Sequence, residues 1–248
     1  MIEARNLEKS FGAQKVLDGV SFRIENGETV AIIGRSGGGK SVLLKHLIGL
    51  LKPDSGEVFI DGENIEPMNE RQLLRVRRKF GMVFQGAALF DSMTVAENVA
   101  FGLCRHENLT ESEIARRVTK TLEMVDLPGT ENKNPAELSG GMRKRVGLAR
   151  AIIYEPQIVL YDEPTTGLDP IVSDSIDKLI IRVRDHLKVT SIVVTHDMRT
   201  ARRVGNHVLL LHDKKIYANC TPESLFASQD PIVRQFVDGI ADPMEHTF

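Results

Sequence analysis

The stretch Gly34-Arg35-Ser36-Gly37-Gly38-Gly39-Lys40-Ser41 decides the fold that this sequence predicts. It matches the pattern GxxxxGK[ST] and lies between an apolar strand pattern and a helical leucine pattern. Glycines let the backbone curl so that successive N–H groups point at phosphate oxygens, and the helix N-terminus adds positive potential. We expect Lys40 to bridge the β- and γ-phosphates and the Ser41 hydroxyl to bind Mg²⁺. The stretch therefore predicts a phosphate loop that binds a nucleoside triphosphate.

Length and composition are typical of a globular protein. The chain has 248 residues, of which 42% are hydrophobic and 27% are charged, with a formal net charge of -2. This charge balance argues against a broad nucleic-acid-binding surface. No apolar run approaches the roughly 20 residues that span a bilayer, and the N-terminus lacks the features of a signal peptide. We therefore expect a cytosolic protein in which Cys104 and Cys220 are reduced thiols.

Strand and helix patterns alternate along the chain and predict an α/β fold. The dipeptide Asn26-Gly27 indicates a hairpin and therefore an antiparallel β edge. Thr94 and Thr110 are each followed three residues later by Glu, which is the capping-box spacing, and Thr221 precedes a Pro. Three apolar strands suit a buried parallel sheet: Ile158–Tyr161, Ser191–Thr195 and His207–Leu211.

These patterns also predict the domain boundaries. A nucleotide-binding core with a β subdomain is expected from residues 1–85 and 157–220. A helical subdomain is expected as an insertion at residues 86–156, because helical signals dominate that stretch. Residues 221–248 are expected to form a C-terminal helix and a tail, in which Ile232, Val233 and Phe236 could pack on a partner ATPase.

An apolar strand that ends in two carboxylates, Asp162 and Glu163, is the second chemical motif. Buried strands seldom end in adjacent acids without a use for them. In a chain that also carries a phosphate loop, Asp162 is expected to hold Mg²⁺, and Glu163 to orient or polarise the attacking water. Gln85 and His196 also end predicted strands, and His196 could reach a γ-phosphate if the strand order is suitable.

The turn Ser139-Gly140-Gly141 opens a predicted helix and suggests a second phosphate-binding element. Ser139 can simply cap the helix. Two glycines after a cap nevertheless destabilise a helix by about 1 kcal/mol each, and they permit close approach of the backbone to an anion. One nucleotide does not need both elements from one molecule. Two copies that share nucleotides across an interface would use both.

Taken together, the motifs resemble those of the ATP-binding cassette (ABC) ATPase, in order and over essentially the whole chain. The resemblance implies a P-loop NTPase fold of the ABC ATPase type, with a RecA-like core, an antiparallel β subdomain and an inserted helical subdomain. It implies ATP and Mg²⁺ as cofactors and the Glu163, His196 and Gln85 side chains in catalysis. It further implies that Phe11 stacks on adenine, where Tyr is common, and that Ser41, Gln85 and Asp162 serve the metal.

The same resemblance implies which other residues contact the nucleotide. The phosphate-loop positions are Gly34, Arg35, Ser36, Gly37, Gly38, Gly39, Lys40, Ser41 and Val42. Ser139, Gly140 and Gly141 are implied to contact the γ-phosphate held by the partner copy, and Asp169 lies in the D-loop. Arg35 stands where Pro is frequent, and Val42 replaces a common Thr; neither change removes a phosphate or magnesium ligand.

Longer stretches resemble the ATPase of the Mla/Mce-type phospholipid transporters. These are FQGAALFDSMTV at Phe84 to Val95, LSGGMRKRVGLARA at Leu138 to Ala151, YDEPTTGLDP at Tyr161 to Pro170 and VTHDM at Val194 to Met198. The resemblance implies a homodimer in the ATP-bound state, on the cytoplasmic face of the inner membrane, bound to permease subunits. It leaves room for a Mce-domain protein and a small regulatory subunit, and it implies no nucleic-acid partner.

Two alternatives remain open from the sequence. The chain could be the ATPase of another ABC importer or exporter, because a cassette does not itself contact the cargo. It could also be a non-transport ABC protein, although such proteins generally carry a coiled-coil insertion or two cassettes, and this sequence has neither.

Overall fold

The computed structural model describes residues 1–103 and 109–240. Cys104 and the end of the tail, residues 241–248, lie outside the described residues, whereas Cys220 is a free thiol as expected. The chain divides into two compact units by packing. The first comprises Met1–Leu73 with Val193–Phe248, and the second comprises Leu74–Ile192. The subdomain boundaries that the sequence suggests are based on motifs and helical patterns, whereas these two units are defined by packing. Those boundaries stay predictions.

The described residues form strands and helices in the alternation expected of an α/β protein. The strands are β1 Ile2–Phe11, β2 Gln14–Ile24, β3 Thr29–Gly34, β4 Ser55–Ile60, β5 Glu63–Asn64, β6 Phe80–Val83, β7 Ile158–Asp162, β8 Thr190–Val194, β9 His207–His212 and β10 Lys215–Cys220. The helices are α1 Lys40–Leu47, α2 Glu70–Arg77, α3 Val95–Ala100, α4 Glu111–Met124, α5 Gly140–Ile152, α6 Pro170–Leu187, α7 Met198–Val204, α8 Pro222–Ala227 and α9 Pro231–Asp238. A short 3₁₀ helix spans Pro135–Glu137.

The hairpin predicted at Asn26-Gly27 is wrong, because β2 and β3, which flank that turn, lie in different sheets. The predicted antiparallel β edge is nevertheless present in the first unit, as a four-stranded sheet. Its strand order is β2-β1-β4-β5, and β1 pairs with β2 from Ile2 opposite Ile24 to Phe11 opposite Gln14. Burial alternates along the end of β2, where Val20, Phe22 and Ile24 are buried. One face of this sheet therefore packs against the core, since side chains alternate between the two faces of a strand.

Parallel pairing places β3 in the core of the first unit. The order there is β10-β9-β3, followed by the C-terminal end of β8. Strand β3 runs parallel to β9, with Val30 opposite His207 and Gly34 opposite Leu211. All six residues of β3 are buried, which is expected of a parallel strand covered on both faces. The phosphate loop thus begins at the end of a strand that is fixed on both sides.

The second unit contains the acidic strand and most of the helices that surround it. The order is the start of β8, then β7 and β6, and β6 runs parallel to β7 from Phe80 opposite Ile158 to Val83 opposite Tyr161. Helix α5 packs on β6 and on α3 and α4. The unit therefore places the C-terminal ends of β6 and β7, just before Gln85 and at Asp162, at one edge.

Three helix starts predicted from the sequence are confirmed. Thr94 and Thr110 form capping boxes with Glu97 and Glu113, respectively. In each box, the side chain of either residue accepts a hydrogen bond from the backbone N–H of the other. The Thr221 hydroxyl accepts a hydrogen bond from the Ser224 N–H and caps α8. These motifs are predictable because each depends only on residues within one helical turn.

The expected packing of the C-terminal helix on a partner is wrong for Val233. Val233 is buried, and it belongs to a hydrophobic cluster of the first unit that includes Leu210 and Leu225. Phe236 packs against the same cluster, and its ring lies 5.9 Å from the His212 ring. Helix α9 therefore covers its own unit, because its apolar face matches the surface left by β9 and α8. Among the described residues, no helix is both long and apolar enough to cross a membrane.

A buried histidine in α1 predicts that stability depends on pH. His46 is fully buried, and burial lowers its pKa below the usual 6.5, although the hydrogen bond between Nδ1 and the Leu51 carbonyl oxygen partly offsets this. The unfolded chain therefore takes up a proton at a higher pH than the folded chain. Stability that is complete above about pH 6.5 is lost as the pH falls through the folded-state pKa, by at most about 1.4 kcal/mol per pH unit.

We expect His46→Gln to lose less unfolding free energy than the wild type when the pH is lowered from about 7.5 to 5.5. Urea denaturation at both pH values measures the change in unfolding free energy with pH. A destabilisation by the substitution that is the same at both pH values cancels in this change. His186→Gln, at an exposed position of α6, serves as the control and should behave like the wild type. Equal losses in wild type and His46→Gln would contradict the prediction.

Candidate functional site

The phosphate loop occupies the connection between β3 and α1. Gly39 is the N-cap of α1 at φ 97°, and no side chain caps the helix. A helix start without a capping side chain presents backbone N–H groups and positive potential to an anion. Gly34 must be a glycine for a separate reason: a Cβ there would lie 2.5 Å from the Leu211 backbone oxygen. The loop is therefore held against β9 at Gly34, directly before the start of α1.

Lys40 lies folded against its own loop. Its side chain is buried, and Nζ donates hydrogen bonds of 2.8 Å to the Gly34 carbonyl oxygen and 2.9 Å to the Arg35 carbonyl oxygen. The Gly38 N–H closes the turn on the Arg35 carbonyl oxygen at 3.0 Å. The ammonium group therefore stays at the centre of the loop, where the sequence predicted that it would meet phosphate. Ser41, the predicted metal ligand, is exposed in the first turn of α1.

A cavity of about 360 Å³ opens beside the phosphate loop within the first unit. Its lining combines the start of β2, the loop and the turn after β9: Gln14, Lys15, Val16, Arg35, Gly37, Gly38, Leu211, His212, Asp213 and Lys214. Phe11 lies at the end of β1, opposite Gln14, with 49% of its surface exposed. An exposed aromatic ring near a phosphate loop is suited to stack on a base, and that role for Phe11 stays a prediction.

His196 lies at the same sheet edge as the phosphate loop. It lies two residues after the end of β8 and is exposed. The preceding residue, Thr195, donates its N–H to the Ile32 carbonyl oxygen at 3.1 Å, two residues before Gly34. Asp197 then caps α7 through the Arg199 N–H. The first unit therefore brings together the phosphate loop, the cavity beside it and His196.

The acidic pair ends β7 in the second unit. Glu163 follows the strand with φ 53°, a left-handed conformation that costs roughly 1–2 kcal/mol for a residue with a Cβ. The Thr166 hydroxyl donates a hydrogen bond of 2.8 Å to Glu163 Oε2. The backbone and the carboxylate of Glu163 are therefore both fixed, as a residue that orients water would require. Asp162, the predicted metal ligand, is partly buried at the strand end.

Lys144 of α5 joins the two motifs of the second unit. Its Nζ donates to the Gln85 carbonyl oxygen and, at 3.4 Å, to the Glu163 carbonyl oxygen. The side chain is only 8% exposed. Burial lowers the pKa of Lys144, and the charges of Glu163 and Asp162 oppose that shift. No sequence pattern indicates this role for Lys144, because its partners are backbone carbonyl groups that any residue type could supply.

The segment after Gln85 is attached to the same helix. Ala87 and Ala88 have φ values of 60° and 49°, which are costly for alanine. The Arg150 guanidinium donates hydrogen bonds of 2.8 Å and 2.7 Å to their two carbonyl oxygens. Gly147 faces Ala87, and a Cβ there would lie 3.3 Å from the Ala87 Cβ. The Gln85 side chain itself is exposed and free to serve a ligand at this edge.

The Ser139 turn caps α5, which was the simpler of its two interpretations. The Ser139 hydroxyl accepts a hydrogen bond of 3.2 Å from the Met142 N–H. A Cβ at Gly141 would lie 2.7 Å from Val172 Cγ1, so packing alone already favours glycine at that position. A Cβ at Gly140 would have normal contact with Leu168, at 3.5 Å. Ser139 remains exposed while it caps the helix. Its role in binding a partner's nucleotide stays a prediction.

Asp169 caps the next helix and precedes an exposed apolar side chain. Its carboxylate accepts hydrogen bonds from the Ile171 and Val172 N–H groups at 2.9 and 3.0 Å. Ile171 is 83% exposed. Single exposed apolar side chains are common on protein surfaces, so Ile171 is of interest only because it lies beside the predicted dimer contact at Asp169. The second unit thus brings together Gln85, Asp162, Glu163, Asp169 and the Ser139 turn.

A second cavity, in the second unit, is lined by none of the predicted site residues. It measures about 440 Å³, and most of its lining residues are basic or apolar. Its lining residues are Arg116, Arg117, Lys120, Thr121, Met124, Ile152, Ile153, Tyr154, Glu155, His186 and Leu187. It contains neither a phosphate loop nor a strand-end carboxylate, whereas the cavity of about 360 Å³ is lined by Arg35, Gly37 and Gly38 of the phosphate loop.

Comparison with known proteins identifies the family that shares these features. The sequence profile described as "ABC transporter" matches residues 17–166. The chain is 43% identical to the probable ribonucleotide transport ATP-binding protein mkl of Mycobacterium leprae, over 96% of this chain and 69% of that protein. It is 41% identical to the intermembrane phospholipid transport system ATP-binding protein MlaF of Escherichia coli K12, over 98% of this chain and 90% of that protein.

A solved structure confirms the fold class. The ATP-binding cassette MJ0796, in a dimeric post-hydrolysis state with ADP and Pi, superposes with a TM-score of 0.82 and 33% sequence identity. The match covers 90% of this chain and 99% of that one. The prediction of a P-loop NTPase of the ABC ATPase type is therefore confirmed.

Lys40→Ala should abolish nucleotide binding without unfolding the protein. At 100 times its dissociation constant, a ligand adds about 2.7 kcal/mol of stability, which is roughly 5–10 °C in the melting temperature of a domain of this size. We expect Mg-ATP to raise the melting temperature of the wild type by that amount and that of the variant hardly at all. Differential scanning fluorimetry with and without nucleotide measures both shifts.

Lys45→Ala is the matched control, because Lys45 belongs to the same helix and is exposed. Its melting temperature should rise with Mg-ATP as in the wild type. A full shift in Lys40→Ala would show that the phosphate site lies elsewhere.

Proposed function

The chain belongs to the ABC transporter family and is one of its ATPase subunits, and on this premise we propose that it drives the movement of phospholipid between two membranes. The ATPase assignment rests on the family match together with the phosphate loop beside the cavity. The cargo rests chiefly on one observation, which is that the chain spans 90% of MlaF at 41% identity. The MlaF name refers to phospholipid transport between membranes.

In the proposed cycle the phosphate loop binds the triphosphate and Lys40 leaves its loop carbonyls for the β- and γ-phosphates. Phe11 stacks on the base. Glu163 orients the attacking water, which the hydrogen bond from Thr166 to its carboxylate favours, and His196 contacts the γ-phosphate. These assignments follow from the strand-end positions of the residues and from the chemistry of their side chains.

Magnesium fits the residues that the sequence offers for it. Ser41, Gln85 and Asp162 supply hydroxyl, amide and carboxylate oxygens, and Mg²⁺ prefers oxygen ligands while it keeps several waters and binds phosphates. The described residues contain no group of three or more His, Cys, Asp or Glu that could form an all-protein metal site. A metal held mainly by the nucleotide agrees with that. When bound, Mg²⁺ would neutralise charge that develops on the transferred phosphate.

We propose that the active form is a homodimer that shares its nucleotides. The MJ0796 cassette is dimeric with ADP and Pi. In this chain the exposed start of α5 at Ser139 and the exposed Ile171 beside Asp169 lie in the second unit and suit contact with another copy. ATP then joins the copies, and hydrolysis separates them, which is a two-state element controlled by the γ-phosphate.

The membrane partners are proposed on family grounds. A transporter ATPase works on permease subunits, and we place this chain at the cytoplasmic face of the inner membrane, as a peripheral subunit. The segment around Gln85 to Leu103, which contains the Gln85 loop and α3, would transmit motion of the ATPase to the permease. A Mce-domain protein and a small regulatory subunit complete the proposed assembly.

Ribonucleotide transport is the second candidate, since mkl carries that description at 43% identity. The chain spans 69% of mkl but 90% of MlaF, so the match covers a larger share of the length of MlaF. The Phe84 to Val95 stretch also resembles the phospholipid transporters. We therefore favour phospholipid.

Glu163→Gln should trap an ATP-bound dimer, because nucleotide still joins the copies while the water is no longer activated. We expect elution at twice the monomer mass in size-exclusion chromatography with Mg-ATP, and ATP turnover reduced at least about 100-fold. Glu155→Gln, at an exposed position of the same unit, is the control and should turn over ATP normally. A Glu163→Gln variant that binds ATP yet stays monomeric would exclude the shared-site proposal.

Co-purification from membranes tests the cargo. We expect the tagged chain to recover a permease, and mass spectrometry of the complex to detect glycerophospholipid well above its level in a Lys40→Ala preparation washed with Mg-ATP. The complex reconstituted in vesicles should transfer fluorescent phospholipid only with ATP. Transfer of ribonucleotide without lipid would favour the second candidate, and recovery of nucleic acid without a permease would exclude transport.

A further inference from the structure

The inner face of α5 contacts both the Gln85 loop and the acidic strand end. Lys144, Gly147 and Arg150 are spaced by three residues and therefore lie on one side of the helix. We call these three residues the clamp face. Lys144 and Arg150 direct their cationic groups at backbone carbonyl oxygens of the Gln85 to Ala88 segment. Gly147 lets Ala87 approach the helix backbone.

Lys144 differs from Arg150 because it reaches both motifs. One donor of its ammonium group binds the Gln85 carbonyl oxygen, and another lies 3.4 Å from the Glu163 carbonyl oxygen. Arg150 binds the carbonyl oxygens of Ala87 and Ala88 and lies over the Phe90 ring at 5.9 Å, on the Gln85 side alone. Lys144 is thus the point where the Gln85 loop, the Glu163 backbone and the helix that begins at Ser139 meet.

Burial of Lys144 has a cost that a structural role alone does not require. An ammonium group that is nearly inaccessible to water loses hydration, and two carbonyl groups replace only part of it. A methionine or leucine would fill the same space between α5 and the strand ends without that cost. The charge is therefore useful for what it contacts, namely two carbonyl groups whose residues carry the proposed chemistry.

The geometry points to Lys144 as a positioning residue for ATP hydrolysis, which holds the Glu163 backbone and the Gln85 loop in fixed positions relative to helix α5. This inference rests on the proposed function, in which Glu163 orients the attacking water. Glu163 sits at a left-handed backbone angle, so its carbonyl oxygen and its carboxylate are fixed together. Movement of α5 then moves both motifs at once through one ammonium group.

Lys144→Met removes the donors and keeps the length of the side chain. We expect kcat for ATP to fall roughly 10- to 100-fold, since misplacement of a catalytic group by about 1 Å has effects of that size. The dissociation constant for ATP, measured by titration calorimetry in the Glu163→Gln background, should change less than about two-fold. Lys144→Arg should restore kcat to within several-fold of the wild type, because a guanidinium group can donate to both carbonyl oxygens.

Lys178→Met is the matched control, because Lys178 is 72% exposed and pairs only with Asp174 in the described structure of α6. It should leave kcat unchanged. If Lys144→Met does not fold, Lys144→Gln takes its place. The glutamine amide reaches one of the two carbonyl oxygens, so kcat should be lower than that of the wild type but still measurable. Unchanged kcat in a folded Lys144→Met variant, or a loss of ATP affinity equal to the loss of kcat, would overturn the inference.

The double variant Lys144→Met/Glu163→Gln separates the two proposals. If Lys144 acts through Glu163, its substitution adds no further loss to the residual rate of Glu163→Gln, whereas an independent structural effect would multiply the two losses. Wild-type turnover in Glu163→Gln would refute the catalytic role of Glu163 and with it the proposed function. An inactive Glu163→Gln beside a fully active Lys144→Met would refute the positioning role alone.

Discussion

The structure of the first unit depends on one helix end that no side chain satisfies. Helix α1 starts at Lys40 after a glycine, and its first N–H groups have no cap of the kind that Thr94, Thr110 and Thr221 provide elsewhere. Such an end is unfavourable in a stable fold unless an anion or water completes it. Strand β3, buried along its whole length, and the contact of Gly34 with Leu211 hold that end in place.

The second unit is built around charged donors that bind backbone oxygens. Helix α5 holds the Gln85 to Ala88 segment through Arg150, and it also contacts Glu163 through Lys144. Two alanines and one glutamate adopt left-handed backbone angles in these segments. The hydrogen bonds stabilise conformations that the segments would not adopt alone, as is common where strain accompanies function. The helix that carries the Ser139 turn therefore also sets the backbone of the residues expected to act on water.

Much of this could be predicted from the sequence because the signals were local. The phosphate loop, the strand that ends at Asp162 and the threonine caps each depend on residues within a few positions of one another. The roles of Lys144 and Arg150 could not be predicted, since their partners are carbonyl groups about 60 positions away in the chain, which carry no side-chain signal. The same limit applied to Val233, whose apolar character could not show which surface it covers, and to Gly141, where a side-chain contact from another helix favours glycine.

The position of Lys40 has a consequence for which anions the loop accepts. Its ammonium group already has two carbonyl ligands inside the loop, so this buried charge has hydrogen-bond partners within its own loop. An incoming anion must replace these internal ligands before it gains the lysine. A small monovalent anion does not compensate for this exchange, because its one charge replaces two charge-assisted hydrogen bonds of the lysine. A polyphosphate meets the lysine, the helix end and the loop amides at once. Charge and reach therefore favour a polyphosphate over a small monovalent anion before any base is recognised.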